Sequence, residues 1–307
     1  MNKPRVSNIA YSLGELSGTY SEASGFAEVI DRESMLPIPE MWGWGNYYAT
    51  KDIFSLAQQS IKKTLLGAEI APDDIDLVIF CAAMMPGRPS NLNARIAEIL
   101  KSVGIESANV IGQTLGGCAT TLSSMIMASE LVNANVYKNV LVVAAETLPD
   151  ELNRFENFAI FSDASVSFLV SSESSIGFEI VSSTYKTSIN EILDGADIKN
   201  PALNKESVIQ TVGKVNLQLS DIKKVFSNNT FLPVKVLKES NIGFTDNQIE
   251  NSNVASTGHC FSCDSLINYC LYKSKNSITV ENYYLLFAEA DGHSASILIK
   301  EKPSSNH

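Results

Sequence analysis

A cysteine that follows two glycines is a candidate nucleophile. Cys118 comes after Gly116 and Gly117 and opens a run from Ala119 to Asn135 whose apolar residues recur at helical spacing. The sulfur is therefore expected at a helix start, where free amide N–H groups and the helix dipole stabilise a thiolate. A thiolate is a nucleophile toward carbonyl carbon. The alternative is a small buried cysteine that only packs beneath the glycines.

A base for this thiol must come from one of three histidines. His307 lies in a polar tail, which leaves His259 and His293. His293 stands in Asp291-Gly292-His293-Ser294, a composition that is also typical of a turn. The choice between them depends on where the chain repeats itself.

Three segments of the first half recur in the same order in the second half, at nearly equal separations. Residues 74–80 match 221–226, Gly117-Cys118 matches Gly258-His259, and residues 139–146 match 282–289. The first and third pairs are apolar runs typical of buried strands, and the second pair begins helices. We infer a duplicated strand–helix–strand unit, with general likeness among α/β segments as the alternative.

The duplication predicts two pseudo-symmetric halves, residues 1–173 and residues 174–307. If these halves pack about a pseudo-twofold axis, Cys118 and His259 occupy equivalent places at the starts of two central helices. They then face one cavity, which favours His259 over His293 as the partner of the thiol. A satisfied histidine at a helix start is the alternative for His259.

Composition excludes several other classes of protein. The 307 residues are 45% hydrophobic and 19% charged, which is typical of a globular protein large enough for two packed halves. A net charge of -11 argues against broad nucleic-acid binding. No window approaches the roughly 18 apolar residues of a membrane span, the first residues lack the apolar core of a signal peptide, and the five cysteines suit reduced thiols. We therefore expect a cytoplasmic protein.

Motifs for cofactors and metals are incomplete. Cys260 and Cys263 have CxxC spacing, but no second cysteine pair at suitable spacing completes a zinc site. Gly43-Trp44-Gly45 lacks the third glycine of a dinucleotide fingerprint, and there is no GxxxxGK[ST] phosphate loop. We expect neither a cofactor nor a metal.

Four landmarks together resemble ketoacyl-ACP synthase III: Gly-Gly-Cys118 at a helix start, Phe161-Ser162-Asp163, Asn228-Asn229 after a buried strand, and Gly258-His259. The resemblance spans most of the chain and implies a thiolase-like α/β fold with duplicated αβαβα layers. In that family the cysteine works with a histidine and an asparagine. Those two positions fall here on Asn228 and His259, so the residue types are exchanged, a pattern that resembles quinolone-pathway and other specialised members of the superfamily.

The resemblance implies a role for each site residue. Cys118 carries the acyl group, His259 takes the thiol proton and later activates the acceptor, and Asn228 orients or polarises a carbonyl. The backbone at Cys118 and at Asp291 implies an oxyanion hole, although the segment around Asp291 departs from the family's glycine-rich pattern.

Two further side chains come to the site through the same resemblance. Phe161 falls on an acyl-pocket wall, with a plain core aromatic as the alternative. Arg88 falls near the loop that closes the partner's acyl pocket in relatives, with a solvated loop arginine as the alternative. Trp42 and Trp44 stand either as a lid or as surface packing.

The implied function is an acyltransferase or ketosynthase that forms an acyl-Cys118 thioester and passes the acyl group on in a C–C, ester or amide bond. The acyl donor is a thioester on acyl carrier protein or coenzyme A. Lys223, Lys224, Lys235 and Lys238 are candidates to meet an acidic carrier protein. The alternative is a non-catalytic partner subunit of a heteromeric condensing enzyme. A dimer is expected, either a homodimer or a heterodimer with a paralogue.

Overall fold

Strands and helices alternate along the chain. The structure, a computed structural model, describes residues 3–86, 89–194 and 202–302. The strands are β1 (Arg5–Leu13), β2 (Leu16–Thr19), β3 (Asn46–Ala49), β4 (Leu77–Cys81), β5 (Asn109–Gln113), β6 (Asn139–Glu146), β7 (Ala164–Ser171), β8 (Phe178–Thr187), β9 (Ile222–Phe226), β10 (Tyr283–Ala290) and β11 (His293–Glu301). The helices are α1 (Phe26–Arg32), α2 (Pro39–Trp42), α3 (Ile53–Leu66), α4 (Pro89–Ser102), α5 (Thr120–Asn133), α6 (Ile189–Asp194), α7 (Ala202–Gly213), α8 (Leu232–Ile242), α9 (Val254–Thr257) and α10 (Asp264–Lys275).

The main sheet has two arms with matching strand order. Its order is β5-β4-β6-β7-β1-β8-β11-β10-β9, and the arms join where Arg5 pairs with Glu179 and Val6 with Phe178. Moving outward from β1 or from β8, each arm has two antiparallel pairings and then a parallel one. The first arm adds β5 at its outer edge. This arrangement confirms the duplication that the sequence predicts.

Helices cover the arms in layers. Apolar side chains of α5 and α10 pack in one core against strands of both arms. Helices α3 and α4 pack on the outer face of the first arm, and α7 and α8 on that of the second. The strands β4, β6 and β7 are buried along their whole length because helices lie on both faces, which explains their nearly continuous apolar sequences. The layer order is αβαβα, so the predicted fold class is confirmed.

The predicted boundary between residues 173 and 174 falls in the turn between β7 and β8. It stays a prediction, because the shared core around α5 and α10 belongs to both arms. Among the described residues, no helix combines the length and apolar character that crossing a membrane requires.

The two tryptophans belong to an aromatic cluster and not to a lid. Trp44 is 5% exposed and packs edge-on against Phe155 and Phe231, while Trp42 stacks on Trp44 and donates its indole N–H to the carbonyl of Leu36. Neither side chain lines the cavity at Cys118. The surface-packing interpretation is also wrong for Trp44, since its ring is buried.

Candidate active site

Cys118 lies in a tight turn that leads into a central helix. Residues Gly117–Ala119 form a 3₁₀ turn, and α5 follows directly at Thr120. Gly117 has a φ of +51°, and a Cβ built there would lie 2.5 Å from the Cβ of Ala290. Both facts require glycine, because other residues adopt this φ at a cost and the added carbon would collide. The turn that carries Cys118 therefore packs against the end of β10, and Cys118 itself is half-buried.

The first arm holds His259 in place. Its amide N–H donates to the carbonyl of Ile160 at 2.7 Å, and its carbonyl accepts the N–H of Ser162 at 2.9 Å. Gly258 has a φ of +64°, and a Cβ there would lie 2.7 Å from the Ile160 carbonyl oxygen. The glycine thus permits the close approach that brings the imidazole to the seam between the arms.

The structure brings Cys118 and His259 together. Sγ of Cys118 lies 3.5 Å from Nε2 of His259. The other ring nitrogen, Nδ1, is paired with the Asp264 carboxylate. Because a carboxylate accepts hydrogen bonds, Nδ1 carries a proton and Nε2 faces the sulfur. Cysteine, histidine and aspartate therefore form a continuous hydrogen-bonded chain, the arrangement that activates a nucleophile.

Asp264 is fixed by the backbone around it. It is the first residue of α10 and is 1% exposed. Its carboxylate accepts the N–H of Cys260 and the N–H of Asn229, each at 2.7 Å, in addition to the imidazole. A carboxylate at a helix N-terminus is stabilised by the helix dipole. The acid is thus positioned to orient the imidazole and to stabilise its protonated form.

The charges of this chain favour an imidazolium. Burial acts to lower the pKa of His259, but the Asp264 carboxylate and the Cys118 sulfur outweigh it and raise the pKa to about 10. His259 is therefore protonated near neutral pH, and its positive charge lies beside the Cys118 sulfur.

A cavity of about 670 Å³ opens beside the thiol and is lined by Cys118, His259, Asn228 and Phe161, among others. Phe161 stacks on Phe261 with ring centroids 4.8 Å apart, and both rings contact the imidazole. Phe261 has a φ of +51°, an uncommon conformation for a bulky residue and one that is frequent at functional sites. One wall is therefore aromatic, and polar lining residues that include Asn228 form a polar wall.

Asn228 lies on the polar wall and is 6% exposed. Its side-chain oxygen accepts the N–H of Glu289 at 2.9 Å, and its carbonyl accepts the Lys235 ammonium at 2.9 Å. The amide NH₂ is left as the donor that it can offer to a substrate. Since both ring nitrogens of His259 already have partners, the imidazole is completed by Asp264 and not by Asn228.

The remaining predicted residues differ in where they lie. Asp291 lines the cavity in the exposed turn between β10 and β11, next to Ala290, which contacts the cysteine turn. Its backbone role stays a prediction. Arg88 lies outside the described residues. His293 lines the cavity mouth, where its Nδ1 pairs with the Tyr185 hydroxyl at 2.8 Å and burial lowers its pKa.

The four predicted lysines are divided between the surface and the interior: Lys223 is exposed, whereas the other three pair with acidic residues. Lys235 is 1% exposed and forms an ion pair with Glu239 inside the protein. Lys224 pairs with Glu250, and Lys238 lines the cavity as the partner of Glu289. The expectation that Lys235 meets a carrier protein is therefore wrong, because its ammonium does not reach the surface.

Sequence reasoning missed two residues of the site. Asp264 carries a signal, because an acidic residue at the start of an apolar helix is typical of an N-terminus, but its distance from His259 along the chain gives no hint of contact. Phe261 gives less warning, since a phenylalanine in a positive-φ position is uncommon.

Comparisons with known proteins agree with this geometry. The family model for 3-oxoacyl-[acyl-carrier-protein] synthase III matches residues 114–188, the segment that begins at the cysteine turn. The chloroplastic beta-ketoacyl-[acyl-carrier-protein] synthase III of Arabidopsis thaliana is 27% identical over 124 residues, which cover 38% of this chain and 29% of that protein. The match thus spans less than a third of that relative's length. The corresponding enzyme of Tropheryma whipplei is 23% identical over 254 residues, 75% of this chain and 78% of the relative.

Solved structures share the fold over the whole chain. ChlB3, described as an acyltransferase, superposes with a TM-score of 0.81 at 12% identity and covers 99% of both chains. The 3-oxoacyl-[acyl-carrier-protein] synthase III of Aquifex aeolicus gives a TM-score of 0.77 at 14% identity, with 97% of this chain and 99% of that chain covered. The chain is therefore a thiolase-fold relative of ketoacyl-ACP synthase III.

Proposed function

We propose that this chain is an acyltransferase that carries its acyl group on Cys118 and delivers it to a hydroxyl or amine acceptor. The observation that carries the proposal is the chain of contacts from Cys118 through His259 to Asp264. Such a chain supplies a nucleophile, a proton carrier and an orienting acid in one place. The similarity to ChlB3, which is described as an acyltransferase, supports the same interpretation.

In the first step the Cys118 thiolate attacks the carbonyl carbon of an acyl thioester. A new S–C bond forms, the bond from the acyl carbon to the donor sulfur breaks, and the departing thiolate takes the proton from Nε2 of His259. The imidazole is then neutral and still held by Asp264 through Nδ1. The donor thiol leaves, and Cys118 holds the acyl group as a thioester.

In the second step the acceptor attacks the acyl-Cys118 carbon. Neutral His259 takes the proton from the attacking oxygen or nitrogen, and the Cys118 sulfur leaves as a thiolate beside the restored imidazolium. Asp264 favours this proton uptake because its carboxylate stabilises the charge that forms on the ring. Atoms and charges balance, and the enzyme returns to its starting state.

Donors to the developing oxyanion are also proposed. The backbone N–H groups at Cys118 and Asp291 and the amide of Asn228 are the groups we assign to it. All three residues line the cavity, and the fixed Asn228 backbone supports its role. In the acyl-enzyme Nδ1 of His259 is held by Asp264 and Nε2 carries no proton, so an enolate formed by decarboxylation has Asn228 as its side-chain donor. For this reason we favour heteroatom acceptors over C–C bond formation.

The donor that we propose is an acyl group on acyl carrier protein. The described residues that line the cavity include a single lysine, Lys238, and its ammonium already pairs with Glu289. The phosphates of coenzyme A therefore meet no free lysine within the described lining. A carrier protein brings its phosphopantetheine arm into the cavity and leaves the remaining contacts at the surface. The metabolic setting we propose is specialised or fatty-acid-like biosynthesis in the cytoplasm.

Intact-protein mass spectrometry tests this function. The purified chain is incubated with acyl-ACP or acyl-CoA, and the adduct is mapped to a peptide, with Cys118→Ala as the control. We then expect release of the acyl group to an alcohol or amine panel without CO₂ from a malonyl thioester. An adduct that persists in Cys118→Ala overturns the nucleophile, and faster release with malonyl thioester and CO₂ overturns the acceptor class. A chain that acylates only beside a co-encoded paralogue indicates the partner-subunit alternative.

A dimer is part of the proposal. Strand β5 forms the outer edge of the first arm, and its Val110 and Ile111 are 46% and 39% exposed. An exposed apolar edge strand is a template for pairing with a second strand. We expect light scattering to give twice the chain mass and Ile111→Lys to give a monomer. A wild-type monomer at micromolar concentration contradicts the homodimer.

A further inference from the structure

Glu146 is a buried acid that the reaction above does not use. It ends β6, is 1% exposed, and both of its oxygens accept the N–H of Ala83, at 2.9 and 3.0 Å. The Ser262 hydroxyl also donates to it. Ala83 lines the cavity, and Ser262 follows the aromatic wall residue Phe261. A single carboxylate thus joins the cavity wall of the first arm to the wall of the second.

The contact that Glu146 anchors repeats the contact at the active site. The Thr121 hydroxyl lies 2.5 Å from that of Ser262, and these two residues are 141 apart in sequence. Cys118 and His259 are also 141 apart. Thr121 stands three residues after Cys118, and Ser262 three residues after His259, so the same seam makes both contacts. The Ser262 hydroxyl has one proton, which it donates to Glu146, so Thr121 must donate to Ser262. Thr121, Ser262 and Glu146 therefore form one chain of hydrogen bonds between the two arms.

Most of the ionisable groups near Glu146 are buried thiols. Its ionisable neighbours are the buried thiols of Cys81, Cys260 and Cys263, for which burial raises the pKa, and His259. Burial raises the pKa of Glu146 itself to about 7, against the effect of the hydrogen bonds and of His259. A carboxyl group in such a place costs stability, which indicates a role other than packing.

We propose that Glu146 is a positioning residue that holds the Thr121–Ser262 contact closed and thereby sets the distance between Cys118 and His259. Without this anchor, Ser262 and the turn that carries it relax, and the sulfur and imidazole move apart. The ion pair then weakens, and the thiolate forms only at higher pH. The inference rests on the proposed role of Cys118, but its effect on the thiol exists without any acyl substrate.

The test is the pH profile of iodoacetamide alkylation at Cys118, read by peptide mass spectrometry. Glu146→Gln keeps the size of the side chain and one acceptor oxygen. We expect the alkylation rate of this variant at pH 7 to fall about 10-fold. The inflection of its pH profile should rise by about one pH unit, because one unit corresponds to a tenfold change in the fraction of thiolate. Glu301→Gln is the matched control, because Glu301 is 7% exposed and accepts the Tyr269 hydroxyl far along the sheet. Its profile is expected to match the wild type.

A folded Glu146→Gln protein with the wild-type profile overturns the inference. If that variant does not fold, Ser262→Ala is used in its place, because loss of the Ser262 hydroxyl removes the hydrogen bond to Glu146. A raised inflection in Ser262→Ala supports the inference, and an unchanged one overturns it. Alkylation needs no acyl donor, so a wild-type protein that alkylates but forms no acyl adduct counts against the proposed function alone.

Discussion

The two arms of the sheet use one scaffold for two different tasks. At the start of α5 the first arm places Cys118, and just before α10 the second arm places His259. Under the proposed function, the first arm supplies the nucleophile and the second supplies the base. A twofold arrangement brings equivalent positions face to face, so duplication followed by divergence turns two similar helix starts into one pair of unlike reactive groups.

The strand ends differ in the same way. Glu146 ends β6, and Glu289 lies one residue before the end of β10. Glu146 is buried and accepts the N–H of Ala83, whereas Glu289 lines the cavity and donates its own N–H to Asn228. Strands β4 and β9 hold equivalent places in the two arms. Ala83 is the second residue after β4, and Asn228 is the second residue after β9. The first arm therefore uses this position for a buried contact between the arms, and the second uses it for the polar wall of the cavity.

Removing the nucleophile should have the largest effect. In Cys118→Ala the acyl adduct is absent, and we expect acyl transfer to fall at least about 10³-fold, because a covalent step cannot proceed without its nucleophile. The substitution also removes one of the contributions that raise the pKa of His259, so that pKa should fall. Kinetics and a histidine titration by NMR measure both effects. An unchanged histidine titration contradicts the contact between the two arms.

The acid behind the imidazole should matter next. Asp264→Asn removes the leading contribution that raises the pKa of His259, and burial then lowers it. The imidazole becomes neutral near pH 7, so we expect kcat to fall on the order of 10²- to 10³-fold. The alkylation profile of Cys118 should move to higher pH. Asp246→Asn, an exposed acid, is the matched control and should leave both values unchanged. Equal losses in the two variants contradict the triad.

The buried acid of the first arm predicts a pH dependence of stability. The pKa of Glu146 is raised from an ordinary value near 4.5 to about 7 in the folded protein. Its favourable contribution is therefore fully present below about pH 4.5 and is lost as the pH rises through about 7, a loss of up to about 3 kcal/mol. Urea unfolding at pH 5 and pH 8 measures it, and Glu146→Gln should reduce the difference. The part that remains has the same sign and comes from His259, whose pKa is raised to about 10. A wild-type protein with equal stability at both values contradicts the burial argument.

This comparison also explains how far the sequence predicts the structure. The pairing of Cys118 with His259 follows from repeated segments, because a duplicated fold converts sequence offsets into spatial equivalence. The predicted helix from Ala119 to Asn135 is close to the observed Thr120–Asn133, with the cysteine in a 3₁₀ turn before it.

Contacts that break the symmetry were not predictable. Asp264 reaches His259 because the chain turns back through Phe261 at a positive φ, and no periodic pattern encodes that turn. The hydrogen bonds of Glu146 to Ala83 and Ser262 join residues far apart in sequence, whereas Glu289, near the matching strand end, contacts Asn228 through its backbone. Sequence repetition predicts what the two arms share, and function depends also on what they do not share.

The smallest effect we predict concerns the fit between the arms at the cysteine turn. Gly117→Ala places a methyl group 2.5 Å from the Ala290 Cβ and keeps a φ of +51°. The conformation alone costs about 1 kcal/mol, and the collision displaces Cys118, so we expect a modest loss of stability and about a 10-fold fall in acyl transfer. Gly213→Ala is the matched control, because nothing lies within 4 Å of the added carbon at the end of α7. It should be neutral or slightly stabilising. If Gly117→Ala retains full activity, the thiol tolerates displacement, and the close contact between the turns of the two arms does not set its position.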